Sequence, residues 1–355
     1  MPEEGPSESE AWETLIGLSR LTEPWAVRVA ATLHLADVMS DEGGRVEDIA
    51  SLAGADRTAL ERLLRFLVAR GVFTQPAPGV FGLNAPARLL RDDHPGRMRR
   101  WLDLDGAAGA MDRAYGGLLE TVRTGKPAYP AVHGRSFWED LAAESHLAAS
   151  FSSLMEAHSL ALSDDVVSSY PWTKAGLVVD VGGGTGALLS RLLSAFPHLR
   201  GVLFDLVAES PEALAVLEAA GVADRCEVTA GDFFAPLPTG GDIYLLRNIV
   251  HDWPDPEAVA ILRRCAEAAG KAGRVLVVER VVTNDGDQRE LTGMDLRMLT
   301  LFGSRERSLE EFNALAGAAS MRLEQSRATS SAYWLLEYRV PDAHQMGPLS
   351  DTSRQ

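Results

Sequence analysis

From about Leu177 onward, short apolar runs alternate with helical stretches, and this alternation constrains the fold more than any other feature of the chain. The short runs are rich in Val, Leu and Ile and are apolar on both faces, which is typical of parallel strands covered by helices on both sides of a sheet. We therefore predict an α/β domain over residues 171–340. Its strands are LVVDV, GVLFD, CEVTA, DIYLLRNIV and RVLVVERVV, followed by runs near MRLEQS and YWLLEYRV.

Residues 11–170 have a mostly helical pattern instead, with a compact module near their start. In that module VEDIASLAG predicts a short helix, and Asp56 is placed to cap a second helix that ends at Gly71. VFTQPAPGVFGL then predicts two strands around a turn. Helix, helix, hairpin is the order of a winged helix. The polar ends, residues 1–10 and 341–355, lack apolar periodicity, and we expect them to be disordered.

Composition narrows the function classes. A chain of 355 residues is long enough for two domains, and its formal net charge of −16 would repel nucleic acid and anionic membranes. Two cysteines do not make a disulfide framework, and the acidic start does not resemble a secretory signal. No uninterrupted apolar run reaches the length of a membrane span. We expect a cytoplasmic enzyme.

A glycine-rich loop follows the first predicted strand of the α/β domain. VVDVGGGTGALL places Gly182, Gly183 and Gly184 where a chain turns tightly and approaches a ligand with its backbone. A plain strand-to-helix turn is the simpler interpretation, but four glycines in five residues favour a ligand. Asp205 ends the next strand, where a carboxylate can bind two ribose hydroxyls. The spacing is neither the dinucleotide fingerprint nor a phosphate P-loop.

Asp232 and Phe233 in AGDFFAPLP close the third strand. A carboxylate can accept a hydrogen bond from the amino group of an adenine, and an aromatic ring can cover its face. Asp232 alone could equally be a turn residue. Together with Gly182 and Asp205 the pair indicates an adenine nucleoside, which both nicotinamide enzymes and methyltransferases bind.

The motifs VVDVGGGTG, LFDL, GDFFAPLP and RNIVHDWPD resemble those of the small-molecule O-methyltransferases of the caffeate and acetylserotonin type, in the same order and spacing. This resemblance implies an N-terminal winged-helix dimerisation domain, over 11–170, that also contributes to the substrate pocket. It implies a Rossmann-like class I methyltransferase domain over 171–340. S-adenosylmethionine would be the cofactor, S-adenosylhomocysteine the product, and the enzyme a homodimer.

RVAATLHLAD, VRTGKPAY and FWEDLAA are similar to the branch that tailors anthracyclines and related polyketides. That branch includes a carminomycin 4-O-methyltransferase and an aclacinomycin 10-hydroxylase, so the resemblance implies the fold and cofactor more strongly than the reaction. Members of that branch tend to have LLNW where this chain has VHDW, and His251 is shared with the wider family. The departure favours methyl transfer over hydroxylation.

The resemblance also implies residue roles. His251 would be the catalytic base, flanked by the acids Glu279 and Glu306. Taken alone, Glu279 could be a surface acid at a strand end, and Glu306 could pair with Arg305 or Arg307. The residues placed at the cofactor are Gly182, Gly183, Gly184, Asp205, Asp232, Phe233, Arg247 and Trp253.

The predicted substrate contacts are Asp252, Arg297, Met155, Met298 and Phe302. A structural ion pair would explain Arg297 equally well, and Met or Phe at helical spacing is more often core. We expect methylation of a phenolic hydroxyl of an aromatic polyketide-type compound, without a metal. The alternatives are a non-methylating member of the family, a nicotinamide-dependent oxidoreductase and, because residues 45–100 are rich in arginine, a DNA-binding protein.

Overall fold

The computed structural model of the protein describes residues 7–206, 210–283, 288–331 and 333–341. Residues 1–6 and 342–355 of the two ends that we expected to be disordered lie outside this set. Residues 8–10 differ from that expectation, because they begin the first helix. Ser7 and Glu10 form a capping box, in which each side chain accepts a hydrogen bond from the other residue's amide, and this local cap makes a polar segment helical.

The chain divides into two compact units, Met1–Asp112 with His146–Phe151, and Arg113–Ser145 with Ser152–Gln355. The second unit thus includes helices that precede the predicted boundary near residue 170, so the limits 11–170 and 171–340 stay a prediction. The elements up to the long helix are α1 Glu8–Ser19, α2 Thr22–Thr32, α3 Leu35–Val38, β1 Gly44–Arg45, α4 Val46–Leu52, α5 Arg57–Ala69, β2 Phe73–Ala77, β3 Val80–Leu83, α6 Ala85–Arg88, α7 Met98–Leu102, α8 Ala107–Ala114, α9 Leu118–Thr124, α10 Tyr129–His133, α11 Phe137–Ala143 and α12 Ser145–Ser169.

The predicted winged-helix module is confirmed. Asp56 caps α5 by accepting a hydrogen bond from the amide of Ala59 at 2.8 Å, and β2 and β3 form the antiparallel hairpin, with β1 on its far side. The apolar side of α5, with Leu60, Leu64 and Leu67, is buried in the core of this unit.

Several arginines of this module are engaged in ion pairs. Arg57 pairs with Glu47 at 2.9 Å, and Arg70 pairs with Glu23 at 3.1 Å. Arg99 is buried between Asp92 and Asp103. Pairing with carboxylates reduces the positive charge that a nucleic acid would meet, so the local excess of arginine is a weak argument for DNA binding.

The second unit is built on a mixed sheet with the strand order β10-β11-β8-β7-β4-β5-β6. Strands β4 to β8 run parallel, and β10 and β11 are added in antiparallel orientation. The elements of this part are β4 Leu177–Val181, α13 Ala187–Ala195, β5 Arg200–Asp205, α14 Pro211–Ala219, β6 Cys226–Ala230, β7 Ile243–Arg247, α15 Asp255–Ala269, β8 Arg274–Val282, α16 Gln288–Phe302, β9 Arg307–Ser308, α17 Leu309–Ala318, β10 Arg322–Ala328 and β11 Tyr333–Arg339.

Alternate residues of the central strands face two separate cores. Val179 and Leu246 point to one side of the sheet, and Val178 and Leu245 point to the other. The prediction of a sheet covered on both faces is confirmed. Among the described residues, no helix is long and apolar enough to cross a membrane.

Two local features differ from the sequence prediction. The run DIYLLRNIV is a strand only to Arg247, because Asn248 adopts a left-handed conformation at φ 52° and a 3₁₀ turn, Val250–Asp252, follows. The short strand β9, which pairs in parallel with the end of β8, was not predicted. Two residues without alternation carry no strand signal.

Candidate active site

The carboxyl ends of four neighbouring parallel strands bring most of the predicted cofactor residues to one edge of the sheet. The glycine loop follows β4, Asp205 ends β5, Asp232 follows β6 and Arg247 ends β7. The strand order β7-β4-β5-β6 places these positions side by side. The direction of strand addition reverses between β4 and β7, which is where ligands bind in open α/β sheets.

The glycine loop has no room for side chains on its inner side. Gly182 has φ 72°, and a Cβ there would lie 2.5 Å from the Ile249 side chain. At Gly183 a Cβ would lie 2.6 Å from the carboxylate of Asp180. At Gly184, with φ 57°, a Cβ would meet no atom within 4 Å, and the Gly184 amide donates to Asp205 Oδ2 at 2.9 Å. The loop is therefore closely packed below, open on one side and tied to the β5 carboxylate, which fits a bound adenosyl cofactor.

Asp180 lies beneath this loop, and the sequence analysis missed it. The side chain is buried in β4, and burial raises its pKa to about 7, while the charge of Arg247 acts in the opposite direction. The signal that could have identified it is an acid within the apolar run LVVDV. Burying a carboxylate costs free energy unless it is paired or hydrogen-bonded, so an acid in a buried strand indicates a functional or structural partner.

Aromatic rings line the neighbouring part of the edge. Trp253 contacts Phe234 and Phe233 edge to face, with ring centroids 4.9 and 5.8 Å apart. Trp138 of α11 lies nearly parallel to Trp253 at 5.9 Å and to Phe302 at 5.4 Å. The structure thus joins the predicted Phe233, Trp253 and Phe302 through Trp138, which lies in the motif FWEDLAA but was not predicted as a site residue.

His251 lies in the 3₁₀ turn after β7, surrounded by three carboxylates. Its Nδ1 atom is 3.1 Å from Glu306 Oε1 and 3.9 Å from Glu279 Oε2, and its Nε2 atom is 3.4 Å from Asp252 Oδ1. Glu279 and Glu306 are buried. Glu279 is therefore not a surface acid, and Glu306 pairs with His251 rather than with Arg305 or Arg307.

Burial and charge act against each other in this cluster. Burial alone would lower the pKa of His251, but the negative charges of Glu279 and Asp252 and the hydrogen bond to Glu306 outweigh it and raise this pKa to about 10. Burial raises the pKa of Glu279 to about 7 and that of Asp252 to about 6, although the His251 charge opposes both shifts. The three acids therefore favour the protonated form of His251 in the free protein.

The remaining predicted site residues differ in burial and lie on separate elements. Asp232 is exposed, and its carboxylate accepts from the amide of Phe234 at 2.9 Å, which is the contact of a turn residue. Arg297 and Met298 lie on α16, the first half-buried and the second buried, and Met155 is half-buried on α12. Helix α16 reaches the His251 cluster through Asp295, whose carboxylate accepts from the amide of Glu306 at 2.9 Å.

Comparison with known proteins agrees with this geometry. The O-methyltransferase domain family matches residues 115–322, and the O-methyltransferase dimerisation domain family matches residues 18–93. The chain therefore belongs to the O-methyltransferase family. It is an enzyme of the class that uses S-adenosylmethionine, so the predicted fold, enzyme class and cofactor are confirmed. The comparisons thus support a methyltransferase rather than a nicotinamide-dependent oxidoreductase or a DNA-binding protein.

Its relatives modify aromatic natural products. The chain is 47% identical to the 2,7-dihydroxy-5-methyl-1-naphthoate 7-O-methyltransferase of Streptomyces carzinostaticus, over 89% of this chain and 94% of that protein. It is 40% identical to the aclacinomycin 10-hydroxylase of Streptomyces purpurascens, over 94% and 91%. An O-methyltransferase from neocarzinostatin biosynthesis, solved with S-adenosyl-L-homocysteine and 1,4-dihydroxy-2-naphthoic acid, has a TM-score of 0.86 at 46% identity, covering 92% of this chain and 98% of that one.

Proposed function

We propose that the enzyme methylates a phenolic hydroxyl of an aromatic polyketide-type natural product and that His251 Nε2 accepts the phenol proton. The contact between His251 Nδ1 and Glu306 carries this proposal. A carboxylate at Nδ1 binds the N–H of that nitrogen and leaves Nε2 as the nitrogen that exchanges a proton with the substrate. The same carboxylate stabilises the imidazolium that forms.

The chemistry needs a base because a phenol, with a pKa near 10, is mostly protonated at neutral pH. When bound, S-adenosylmethionine supplies an electrophilic methyl group on a positively charged sulfur. His251 Nε2 would take the proton that the phenol loses when its oxygen is methylated, and S-adenosylhomocysteine would be the leaving group. Positioning of the acceptor and exclusion of water supply the rest of the acceleration.

The charge state of His251 sets the pH dependence. Only neutral imidazole accepts a proton, and the raised pKa keeps His251 charged in the free enzyme. A positively charged cofactor in the same site disfavours the imidazolium, so cofactor binding lowers the pKa of His251 towards neutrality. We therefore expect activity to increase with pH from the acidic side.

For the cofactor, the arrangement supports the following placement. The backbone of Gly182, Gly183 and Gly184 lines the methionine part, and Asp205 binds the ribose hydroxyls. The contacts assigned to the adenine are Asp232, Phe233 and Trp253, with Arg247 close to the cofactor. The open side of Gly184 and its hydrogen bond to Asp205 support this assignment.

The aromatic rings support a flat substrate. Trp138 packs nearly parallel against Phe302 and against Trp253, and a wall of aromatic rings offers apolar surface against which a polycyclic aromatic substrate can pack. The naphthoate in the name of the methyltransferase relative and the naphthoic acid in the solved complex are both flat and hydroxylated. We assign Asp252, Arg297, Met298 and Met155 to the same pocket together with Phe302.

We also propose that the enzyme is a cytoplasmic homodimer without a nucleic acid or membrane partner. The dimerisation-domain match over residues 18–93 supports the dimer. Helix α1 adds an apolar surface, with Trp12, Leu15 and Leu18 more than 60% exposed. Burial of such residues against a second copy is favourable by about 1.5–3 kcal/mol each.

A second candidate function is hydroxylation or decarboxylation of an anthracycline-like compound. The 40% identity to the aclacinomycin 10-hydroxylase favours it. The His251–Glu306 pair favours methyl transfer, because a base for a phenol has no evident use in oxygenation of a carbon atom.

The test is a turnover assay with S-adenosylmethionine and a panel of hydroxylated naphthoates and polyketide phenols, analysed by mass spectrometry. We expect a product heavier by one CH₂ in wild type and a loss of about 10²–10⁴-fold in His251→Gln. His198→Gln, at an exposed position of the same unit, is the matched control and should behave as wild type. Methylation that survives His251→Gln refutes the base role, and oxidised or decarboxylated products without methylation refute the reaction.

A further inference from the structure

The backbone of the turn that carries His251 is held by charged side chains of opposite sign. On the amide side, Glu279 Oε1 accepts hydrogen bonds from Ile249 at 3.0 Å and from Val250 at 2.8 Å. Glu279 is fully buried, so these bonds replace its lost hydration. They fix where the turn begins.

On the carbonyl side, the Arg307 guanidinium binds the same turn. It donates from Nη1 to the Val250 oxygen at 2.8 Å and from Nη2 to the Trp253 oxygen at 2.7 Å. These two carbonyls lie on either side of His251 in the chain. The guanidinium also donates to Asp255 Oδ1, at 3.1 Å from Nε and 2.8 Å from Nη2.

Arg307 is itself held rigidly. Its side chain has no exposed surface, and its backbone pairs with Val281 in the parallel β8–β9 contact. The preceding residue, Glu306, donates its amide to Asp295 and binds the imidazole through its carboxylate. Two consecutive residues therefore hold the His251 ring and the backbone on both sides of it.

We propose that Arg307 is a positioning residue that fixes the direction of His251 Nε2 by holding the carbonyls of Val250 and Trp253. The proposal rests on the proposed base role of His251. Arginine suits this task because its planar fork reaches several acceptors at fixed angles, whereas a lysine ammonium is a single point donor. A displacement of about 1 Å in a catalytic group can cost about 10²-fold in rate.

The experiment compares Arg307→Lys with Arg305→Lys. Arg305 undergoes the same change two residues away and shares the partner Asp255, at 3.0 Å, but has no contact with the two carbonyls. For both variants we would measure the melting temperature, S-adenosylhomocysteine binding, kcat and KM, and the NMR signals of the imidazole in histidine-labelled protein. The His251 signal is assigned by its absence in His251→Gln.

We expect Arg307→Lys to bind S-adenosylhomocysteine, to lose about 10–100-fold in kcat with KM changed by less than about 3-fold, and to shift and broaden the His251 signal. Arg305→Lys should match wild type in all of these. An unchanged His251 signal in folded Arg307→Lys overturns the proposal, whatever the rate. Since the signal does not depend on catalysis, a changed signal with an unchanged rate supports positioning and refutes the base role instead.

A second variant covers the case in which Arg307→Lys does not fold. Asp255→Asn weakens the outer contact of the Arg307 guanidinium and the exposed ion pair with Arg305, and it leaves the contacts to the two carbonyls in place. The Asp255 side chain is 46% exposed, so the fold should tolerate the change. We expect a smaller change of the same His251 signal. A wild-type signal in Asp255→Asn, together with an Arg307→Lys protein that does not fold, would mean that Arg307 acts in folding alone and would overturn the proposal.

Discussion

Two loops at the same edge of the sheet reach a fixed shape in opposite ways. The glycine loop after β4 is shaped by the absence of side chains, with positive φ at Gly182 and Gly184 and close packing below Gly183. The turn after β7 is shaped by charged side chains that are remote in the sequence, Glu279 on its amides and Arg307 on its carbonyls. The shape of the glycine loop is determined by residues within the loop, whereas the shape of the turn is determined by residues far away in the sequence.

The two loops meet at one point, where a Cβ on Gly182 would lie 2.5 Å from the Ile249 side chain. The loop assigned to the cofactor and the turn that carries the proposed base are therefore in direct contact. A substitution in one loop changes the contacts that hold that loop and leaves the contacts of the other intact.

The largest effect is expected in the charged turn. Glu306→Ala removes the acceptor at His251 Nδ1, so the imidazole loses its orientation and the partner of its positive charge. We expect kcat to decrease about 10²-fold, equivalent to about 2.7 kcal/mol. Glu310→Ala, at an exposed position four residues later, is the control in the same rate assay. Equal rates in both variants would show that the turn needs no acid at Nδ1.

The glycine loop should respond through packing rather than charge. In Gly183→Ala the new methyl group would lie 2.6 Å from Asp180 and 2.7 Å from Leu203, both buried. We expect the free energy of unfolding to decrease by about 1–3 kcal/mol and S-adenosylhomocysteine binding to weaken. Gly293→Ala, on α16 with no atom within 4 Å, should instead stabilise by about 0.5–1 kcal/mol. Urea titration distinguishes the two, and the same sign in both would contradict the packing argument.

A carboxylate near the end of α12, that of Asp165, links this helix to the segment before β11. The Asp165 carboxylate accepts hydrogen bonds from Ser330 at 2.9 Å and from the amide and hydroxyl of Ser331. Burial alone would raise the pKa of Asp165, but the hydrogen bonds from Ser331, Thr329 and Ser330 outweigh it and lower this pKa to about 2. We expect Asp165→Asn to destabilise by about 1–2 kcal/mol at neutral pH.

The pH dependence of that difference has a definite sign. The folded pKa lies below the unfolded one, so the stabilisation is complete above about pH 4 and is lost as the pH falls towards 2. The gap between wild type and Asp165→Asn in denaturant titrations should therefore narrow on acidification. Asp164→Asn, which removes an exposed ion pair with Arg191, should cost less than about 0.5 kcal/mol. A gap that stays constant down to pH 2 would show that the carboxylate charge is not the cause.

The smallest expected effect is a difference in the number of protons released when the two forms of the cofactor bind. S-adenosylmethionine carries a positive charge that S-adenosylhomocysteine lacks, and that charge disfavours the His251 cation. Calorimetry in buffers of different ionisation enthalpy should show a larger fraction of a proton released with S-adenosylmethionine than with S-adenosylhomocysteine. The difference should vanish in His251→Gln. A difference that persists there would place the released proton on another acid whose pKa is raised by burial, such as Asp180 beneath the glycine loop or Glu279 and Asp252 beside His251.

The comparison also explains how far the sequence could predict the molecule. The strands, apart from the end of DIYLLRNIV, the winged-helix order and the glycine-rich turn between β4 and α13 follow from local periodicity and glycine spacing, and the structure contains all three. The role of the glycine turn in cofactor binding stays a prediction. The left-handed Asn248 and the strand β9 depend on tertiary contacts and carry no periodic signal. His251, Glu279 and Glu306 were identified by resemblance, and the structure brings them together.

What the sequence could not show were the side chains that act across long stretches of chain. Arg307 was considered only as a partner for Glu306, because neighbours in sequence are the pairs that spacing suggests. Its acceptors are two backbone oxygens and the Asp255 carboxylate, all more than 50 residues away, and no residue pattern encodes them. Trp138 reaches Trp253 and Phe302 in the same way, through packing of distant helices and loops.

The most direct test of the central claim is the pH dependence of kcat for wild type and His251→Gln. The assay uses one phenol that the wild-type enzyme methylates, with saturating S-adenosylmethionine. If His251 accepts the phenol proton, the ratio of the two rates is largest near neutral pH. It then shrinks towards pH 10, because a phenol with a pKa near 10 ionises there without a base. A ratio that stays constant across this range would contradict the account, since it would mean that His251 positions the substrate and takes no proton.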